Sequence, residues 1–149
     1  MEKEQDNSFH KVDINWYPGH MAKAKKQIIE DLKLVDIVIE ILDSRIPKSS
    51  QNPDIAEITK NKDKVFILNK YDLADSKQNE LWVKYFNEKS QTAVLANCNT
   101  GYGINEVLRA VEKIKQKEIE SYSKKGRIGK KIRAMVLRNS KCRKIFIYK

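Results

Sequence analysis

Residues 64–72 read K-V-F-I-L-N-K-Y-D, and this stretch decides the fold. Residues 64–68 form a short apolar run that reads as a β-strand. Asn69, Lys70, Tyr71 and Asp72 follow at once as a polar loop. Outward from this point, strand-like and helix-like runs alternate. Residues 35–42, rich in Val and Ile, read as a strand buried on both faces, and residues 93–96 and 132–137 supply two more. Helical spacing marks residues 21–34, where Ala24, Ile28 and Leu32 share a face and Lys23, Lys25 and Lys26 lie off it. A short helix follows Asn52-Pro53. Ser76 is the expected cap of a helix carrying Leu81, Trp82, Tyr85 and Phe86. Ile104, Val107, Leu108, Val111 and Ile114 mark a last amphipathic helix. The order β-α-β-α-β-α-β implies an α/β fold, a parallel sheet with helices on both faces. Ligands of such sheets sit beyond the carboxyl ends of the strands.

The 149 residues, 17.4 kDa, correspond to one ordinary domain that can bury a core without disulfides or metals. Residues 1–13 are polar and expected to be disordered. Their polarity fits no secretory signal, and the most apolar run carries Asp36 and Glu40, so no membrane span is expected. Cys98 and Cys142 read as free thiols of a reducing compartment, and their spacing from His10 and His20 builds no zinc site. The net charge of +10 is uneven. Residues 1–110 hold 16 basic and 17 acidic side chains, whereas residues 111–149 hold 14 and 3. That asymmetry points to a polyanionic partner, most simply nucleic acid. Residues 115–131, basic and poor in large apolar groups, read as a linker or exposed arm. Lys113 to Arg133 could contact RNA phosphates or form a solvated segment with no target.

N-K-x-D at a strand exit has a defined chemistry. A carboxylate only accepts hydrogen bonds, so Asp72 can take both the N1–H and the N2 amino group of guanine. Adenine offers no such pair and would leave the carboxylate unmatched. Asn69 would bind the other edge of the base and brace the loop, and the Lys70 stem would cover the ring. Four residues alone are equally well explained as turn chemistry. The second loop, N-C-N-T-G-Y-G at 97–103, follows the next strand and opens a helix. It resembles the S-A-K-x-G-x-G loop of GTPases, in which a backbone N–H contacts guanine O6. Asn97 and Cys98 stand where Ser and Ala usually stand, a change that a backbone donor tolerates. Taken singly, this loop is also a glycine-rich helix entry.

Together with W-Y-P-G-H-M-A-K-A at 16–24 and D-S-R-I-P-K-S-S-Q-N-P at 43–53, these loops resemble the circularly permuted GTPases of the YlqF/RbgA type. The resemblance covers nearly all of residues 14–137. It implies a Rossmann-like P-loop GTPase core, a circularly permuted G domain, in which the guanine motifs precede the phosphate loop. It implies GTP/GDP binding, Mg²⁺ in an intact member, hydrolysis of GTP, and assistance to late assembly of the large (50S) ribosomal subunit in the cytoplasm. The implied partners are guanine nucleotide and a large-subunit precursor with its rRNA, without membrane or DNA specificity. Cofactor-binding residues would be Asn69, Lys70, Tyr71, Asp72, Asn97 and Cys98. The resemblance makes His20 the candidate catalytic group that positions or activates the attacking water, a task suited to a neutral imidazole. Asp43 and Arg45 read as structural, pairing with each other or capping their loop, and Trp16, Tyr17 and Trp82 as packing or surface residues.

No G-x-x-x-x-G-K-[ST] occurs in the 149 residues, and Gly126 and Gly129 stand too close together to form one. The core is therefore expected to be incomplete, a partial G domain at 14–137 followed by a basic tail at 138–149. Codons can be chosen for that tail which, read one base later, spell G-I-P-N-V-G-K-S. The expectation is a shifted frame near codons 137–138, leaving this chain inactive as a GTP hydrolase on its own. The alternative is a non-enzymatic basic RNA-binding module with a degenerate G domain.

Overall fold

The computed structural model describes residues 19–126, 131–138 and 141–147. The elements run α1 (Gly19–Leu32), β1 (Ile37–Asp43), α2 (Pro47–Ser50), α3 (Pro53–Ile58), β2 (Lys64–Asn69), a 3₁₀ turn (Tyr71–Leu73), α4 (Ser76–Glu88), β3 (Thr92–Ala96), α5 (Ile104–Lys124), β4 (Ile132–Arg138) and β5 (Lys141–Ile147). The expected polar segment at 1–13 lies outside the described residues.

The strands form one sheet in the order β3-β2-β1-β4-β5. The first four are mutually parallel, as alternation with helices requires. The fifth departs from the expected all-parallel sheet. The chain turns back after β4, and β5 pairs antiparallel to it from Arg138↔Lys141 to Ile132↔Ile147. A parallel neighbour would need a long crossover, and only two residues separate these strands.

Alternation along the strands divides the core between the two faces. Ile37, Ile39, Val65, Ile67 and Ala134 pack against Val107 and Val111 of α5. Val38, Met135 and Leu137 pack against Ile28 and Leu32 of α1 and Ile55 of α3. Leu42, Phe66, Leu68 and Ala93 meet Phe86 of α4, whose ring stacks on Phe66 at 4.9 Å between centroids. Burial of each such side chain is worth about 1.5–3 kcal/mol.

Three local expectations are corrected. The first helix starts at Gly19 and ends at Leu32, because its last turn tightens: Leu34 N–H donates to Asp31 O at 3.0 Å. The cap of α4 is Asp75, whose Oδ1 accepts from Gln78 N–H at 2.9 Å, and Ser76 is already inside the helix. Residues 115–124 are helix, not linker. Ile114 and Ile119 continue the apolar stripe of α5, and Lys115 Nζ reaches Asp63 at 2.7 Å and Glu118 at 3.1 Å. The basic composition of this segment is the outer face of a long helix.

Candidate functional site

The parallel strands bring their carboxyl ends to one edge, so the loops after β2 and β3 lie side by side. Asn69, the last residue of β2, pairs with Ala96, the last of β3. It is buried, and its carbonyl accepts from Ser44 N–H at 2.9 Å, fixing the exit of β1 as well. Its side-chain Oδ1 accepts from the Cys98 N–H at 2.9 Å. Lys70 then takes a left-handed backbone, φ +60°, rare for a residue with a Cβ and common where a site demands a tight exit. The 3₁₀ turn that follows raises Asp72 to the surface. Asn97 Nδ2 donates to Asp72 Oδ1 at 2.8 Å.

Two side-chain hydrogen bonds therefore join the loops, Asn69 to Cys98 and Asp72 to Asn97. A third contact lies outside them: the rings of Tyr71 and Tyr102 stack with centroids 4.7 Å apart and 26° between planes. The Asn97 loop is held internally. Asn97 Oδ1 accepts from Asn99 N–H at 2.9 Å and Thr100 N–H at 3.2 Å, and the Asn97 N–H donates to Tyr102 O at 3.1 Å. Gly101 and Gly103 both have positive φ. At Gly103 a Cβ would also collide with the Leu95 carbonyl oxygen, so only glycine lets α5 start this close to β3.

Of the residues expected from sequence, Asn69, Tyr71, Asp72, Asn97 and Cys98 come together. Lys70 directs its ammonium to Asp43, 3.5 Å from Oδ2. His20 lies in the first turn of α1, and its side chain is outside the described residues. Cys98 is exposed. Its thiol is raised, chiefly by desolvation with the Arg138 charge opposing, so it stays protonated near neutrality.

Asp43 and Arg45 pair in two-pronged fashion, Nε to Oδ1 at 2.9 Å and Nη2 to Oδ2 at 2.7 Å. The Arg45 N–H also donates to Oδ1 at 3.1 Å, so the carboxylate caps its own loop. The Arg45 hydrogen bond, then Lys70 at longer range, holds Asp43 well below the usual carboxylate range. Sequence reasoning missed Asn79. It is buried on α4 and donates from Nδ2 to Tyr71 O at 2.9 Å, bracing the Asp72 turn from below. A buried Asn three residues into a capped helix was the available signal. The Tyr71–Tyr102 stack was also missed, since each ring stands at a variable position of its motif.

Chemically, the arrangement presents an exposed carboxylate beside backbone N–H groups on a rigid double loop. Asp72 Oδ2 has no hydrogen bond of its own among the described residues, and Oδ1 keeps a second lone pair. Among the described residues, no group of three or more His, Cys, Asp or Glu is placed to hold a metal ion, so these side chains do not fit a magnesium site. No helix among them is long and apolar enough to cross a membrane.

No family model matches the chain. Among curated proteins it is 41% identical over 124 residues to ribosome biogenesis GTPase A of Bacillus cereus, covering 83% of this chain and 42% of that protein. It is 41% identical over 97 residues to mouse mitochondrial ribosome-associated GTPase 1, covering 64% of this chain and 30% of the relative. The solved structure of GNP-bound YlqF from T. maritima aligns at 32% identity with a TM-score of 0.43, covering 50% of this chain and 31% of the other. The chain thus spans less than half the length of the curated relatives it matches. Over most of its residues it is homologous to the ribosome biogenesis GTPase A (YlqF/RbgA) family.

Proposed function

We propose that this chain carries the guanine-recognition part of a GTP-binding protein of ribosome biogenesis. The observation that supports it best is the pairing of the two loops, with Asp72 exposed between them and locked to Asn97 at 2.8 Å. A carboxylate held in place loses little freedom on binding, so its two acceptors can be matched to guanine N1–H and N2–H at small entropic cost. Asn69 holds the second loop through Oδ1 and keeps its Nδ2 for the base. The Cys98 N–H, the donor proposed for O6, already has Asn69 Oδ1 as acceptor, so O6 shares or displaces that bond.

Phosphate cradling supplies much of nucleotide affinity and nearly all of phosphoryl-transfer catalysis. These 149 residues contain no G-x-x-x-x-G-K-[ST], and β4 is followed by the antiparallel β5. Weak guanine-nucleotide binding without turnover is the expected behaviour of the chain by itself. In the intact relatives' context, the partners are a large-subunit precursor and its rRNA, in the cytoplasm.

The test is a competition between GDP, ADP and xanthosine diphosphate for the purified chain. GDP should win over ADP, and Asp72→Asn should invert the order of GDP and xanthosine diphosphate, since an amide donor matches the xanthine 2-oxo group. Discrimination at a matched hydrogen-bonding site reaches roughly 100-fold or more. Equal binding of all three overturns the proposal.

The charge excess in residues 111–149 supports a second reading, a basic RNA-binding module without nucleotide control. It requires a steep salt dependence of RNA binding that GDP does not alter.

A further inference from the structure

A cavity of about 490 Å³ opens at the other end of the sheet from the guanine loops. It lies between α3, the carboxyl end of α4 and the amino ends of β2 and β3. Lys64 begins β2 and Asn69 ends it, a separation of about 17 Å along the strand. Five lysines line the cavity: Lys48, Lys60, Lys62, Lys64 and Lys89.

Their charges are poorly compensated. Asp63 is the single carboxylate in the lining, and Lys115 Nζ engages it at 2.7 Å. Lys62 Nζ donates to Val35 O at 2.9 Å, and Lys64 pairs with the buried Glu40 at 3.5 Å. Lys48, Lys60 and Lys89 have no carboxylate at ion-pair distance among the described residues. Two of them converge although α2 and α4 are far apart in sequence. Lys89 Nζ donates to Tyr85 Oη at 2.6 Å and lies 4.3 Å from the ring centroid. The Lys89 hydrogen bond lowers the Tyr85 hydroxyl from its ordinary value, and the Lys48 charge acts on it in the same direction. Ammonium groups brought together without counter-charge repel one another, and a bound anion relieves that repulsion.

We propose that this cavity is a phosphate-binding site, with Lys48, Lys60 and Lys89 as ligands of a phosphate ester and Tyr85 as a neutral donor beside them. A concave site with several ammonium groups and a hydroxyl suits a multiply charged, compact oxyanion. The phosphate can belong to a small phosphorylated molecule or to an RNA backbone, since both present the same tetrahedral oxyanion. The site is independent of guanine recognition.

The test is titration calorimetry of the full chain with inorganic tripolyphosphate at low salt. Lys60→Gln/Lys89→Gln should weaken binding about tenfold, as expected for loss of two charge-assisted contacts. Lys77→Gln/Lys117→Gln, at exposed positions away from the cavity, and Asp72→Ala in the guanine loop should each change it less than about twofold. All four positions substituted in the lysine pairs are exposed, and circular dichroism of each variant verifies its fold. A second arm uses a ten-nucleotide polyuridine RNA. Binding that tripolyphosphate displaces and that Lys60→Gln/Lys89→Gln weakens identifies the backbone of RNA as the source. Binding of tripolyphosphate alone identifies a free phosphorylated ligand. No tripolyphosphate binding, or equal losses in the cavity and control pairs, overturns the proposal.

Discussion

The backbone N–H of Cys98 donates to Oδ1 of Asn69 across 2.9 Å, joining the carboxyl ends of β2 and β3 through one buried side chain. Asn69 therefore has two separable tasks: its oxygen braces the neighbouring loop, and its amide nitrogen remains for a ligand. Asn69→Asp keeps an acceptor for Cys98 and removes the donor. Asn69→Ala removes both. The expected result is that Asn69→Ala loses about 1–2 kcal/mol of stability through the unpaired N–H, with guanine binding lost as well. Asn69→Asp should melt close to the parent while guanine binding falls. Urea melts alongside GDP titrations check this, and equal destabilisation by both variants counts against the division of labour.

The Tyr71–Tyr102 stack bridges the same loops from the solvent side. Tyr102 is 57% exposed, so its ring is held by its partner more than by burial. Such a pair is worth about 0.5–1.5 kcal/mol. Tyr102→Ala should therefore weaken guanine-nucleotide binding by about three- to tenfold through a looser Asp72–Asn97 arrangement, and Tyr102→Phe should restore it. A faster GDP dissociation rate with little change in melting temperature is the expected signature. An unchanged rate would remove the stack from the site.

The alternation of apolar strands and amphipathic helices was legible because both periods are written in residue spacing, as in Ile104, Val107 and Val111. Asn69, Asp72, Asn97 and Cys98 were legible because hydrogen-bonding types stand at strand exits. Contacts that depend on pairing distant positions were not. The antiparallel β5 follows a strand that sequence reading ended correctly, but nothing in its residues specifies which edge they join. The continuation of α5 was obscured because Lys113, Lys115 and Lys117 mask Ile114 and Ile119. Asp75 rather than Ser76 caps α4, a choice between adjacent capping types that only the backbone decides.

Gly103 stands at the N-cap of α5 with φ +80° and its α-carbon against the end of β3. Gly103→Ala combines an unfavourable backbone conformation with a collision against Leu95 O. A cost of about 2–3 kcal/mol follows if the loop yields only in part. The same change at Gly101, where no atom lies within contact distance of a Cβ, should cost about 1 kcal/mol from the backbone alone. Chemical denaturation of the two variants measures the difference, and equal costs would place the whole effect in φ.

Glu40 lies within β1 with its side chain 4% exposed, and Lys64 Nζ stands 3.5 Å from Oε2 without hydrogen-bond geometry. Burial raises the carboxyl above its ordinary 4.5, and the Lys64 charge offsets part of that rise. A folded value above the unfolded one favours the protonated form in the native state. The associated stability is complete below pH 4.5 and is lost as the pH climbs through the raised folded value. Glu40→Gln mimics the protonated state and retains an acceptor for Lys64, whose stem can reach solvent at the cavity. The variant should be more stable than the parent by about 1 kcal/mol near pH 8. That advantage should shrink to nothing near pH 4, where the parent carboxyl is itself neutral. Paired urea melts from pH 4 to pH 8 measure the gap. A variant less stable than the parent at every pH would mean that the Lys64 attraction outweighs the burial of the charge.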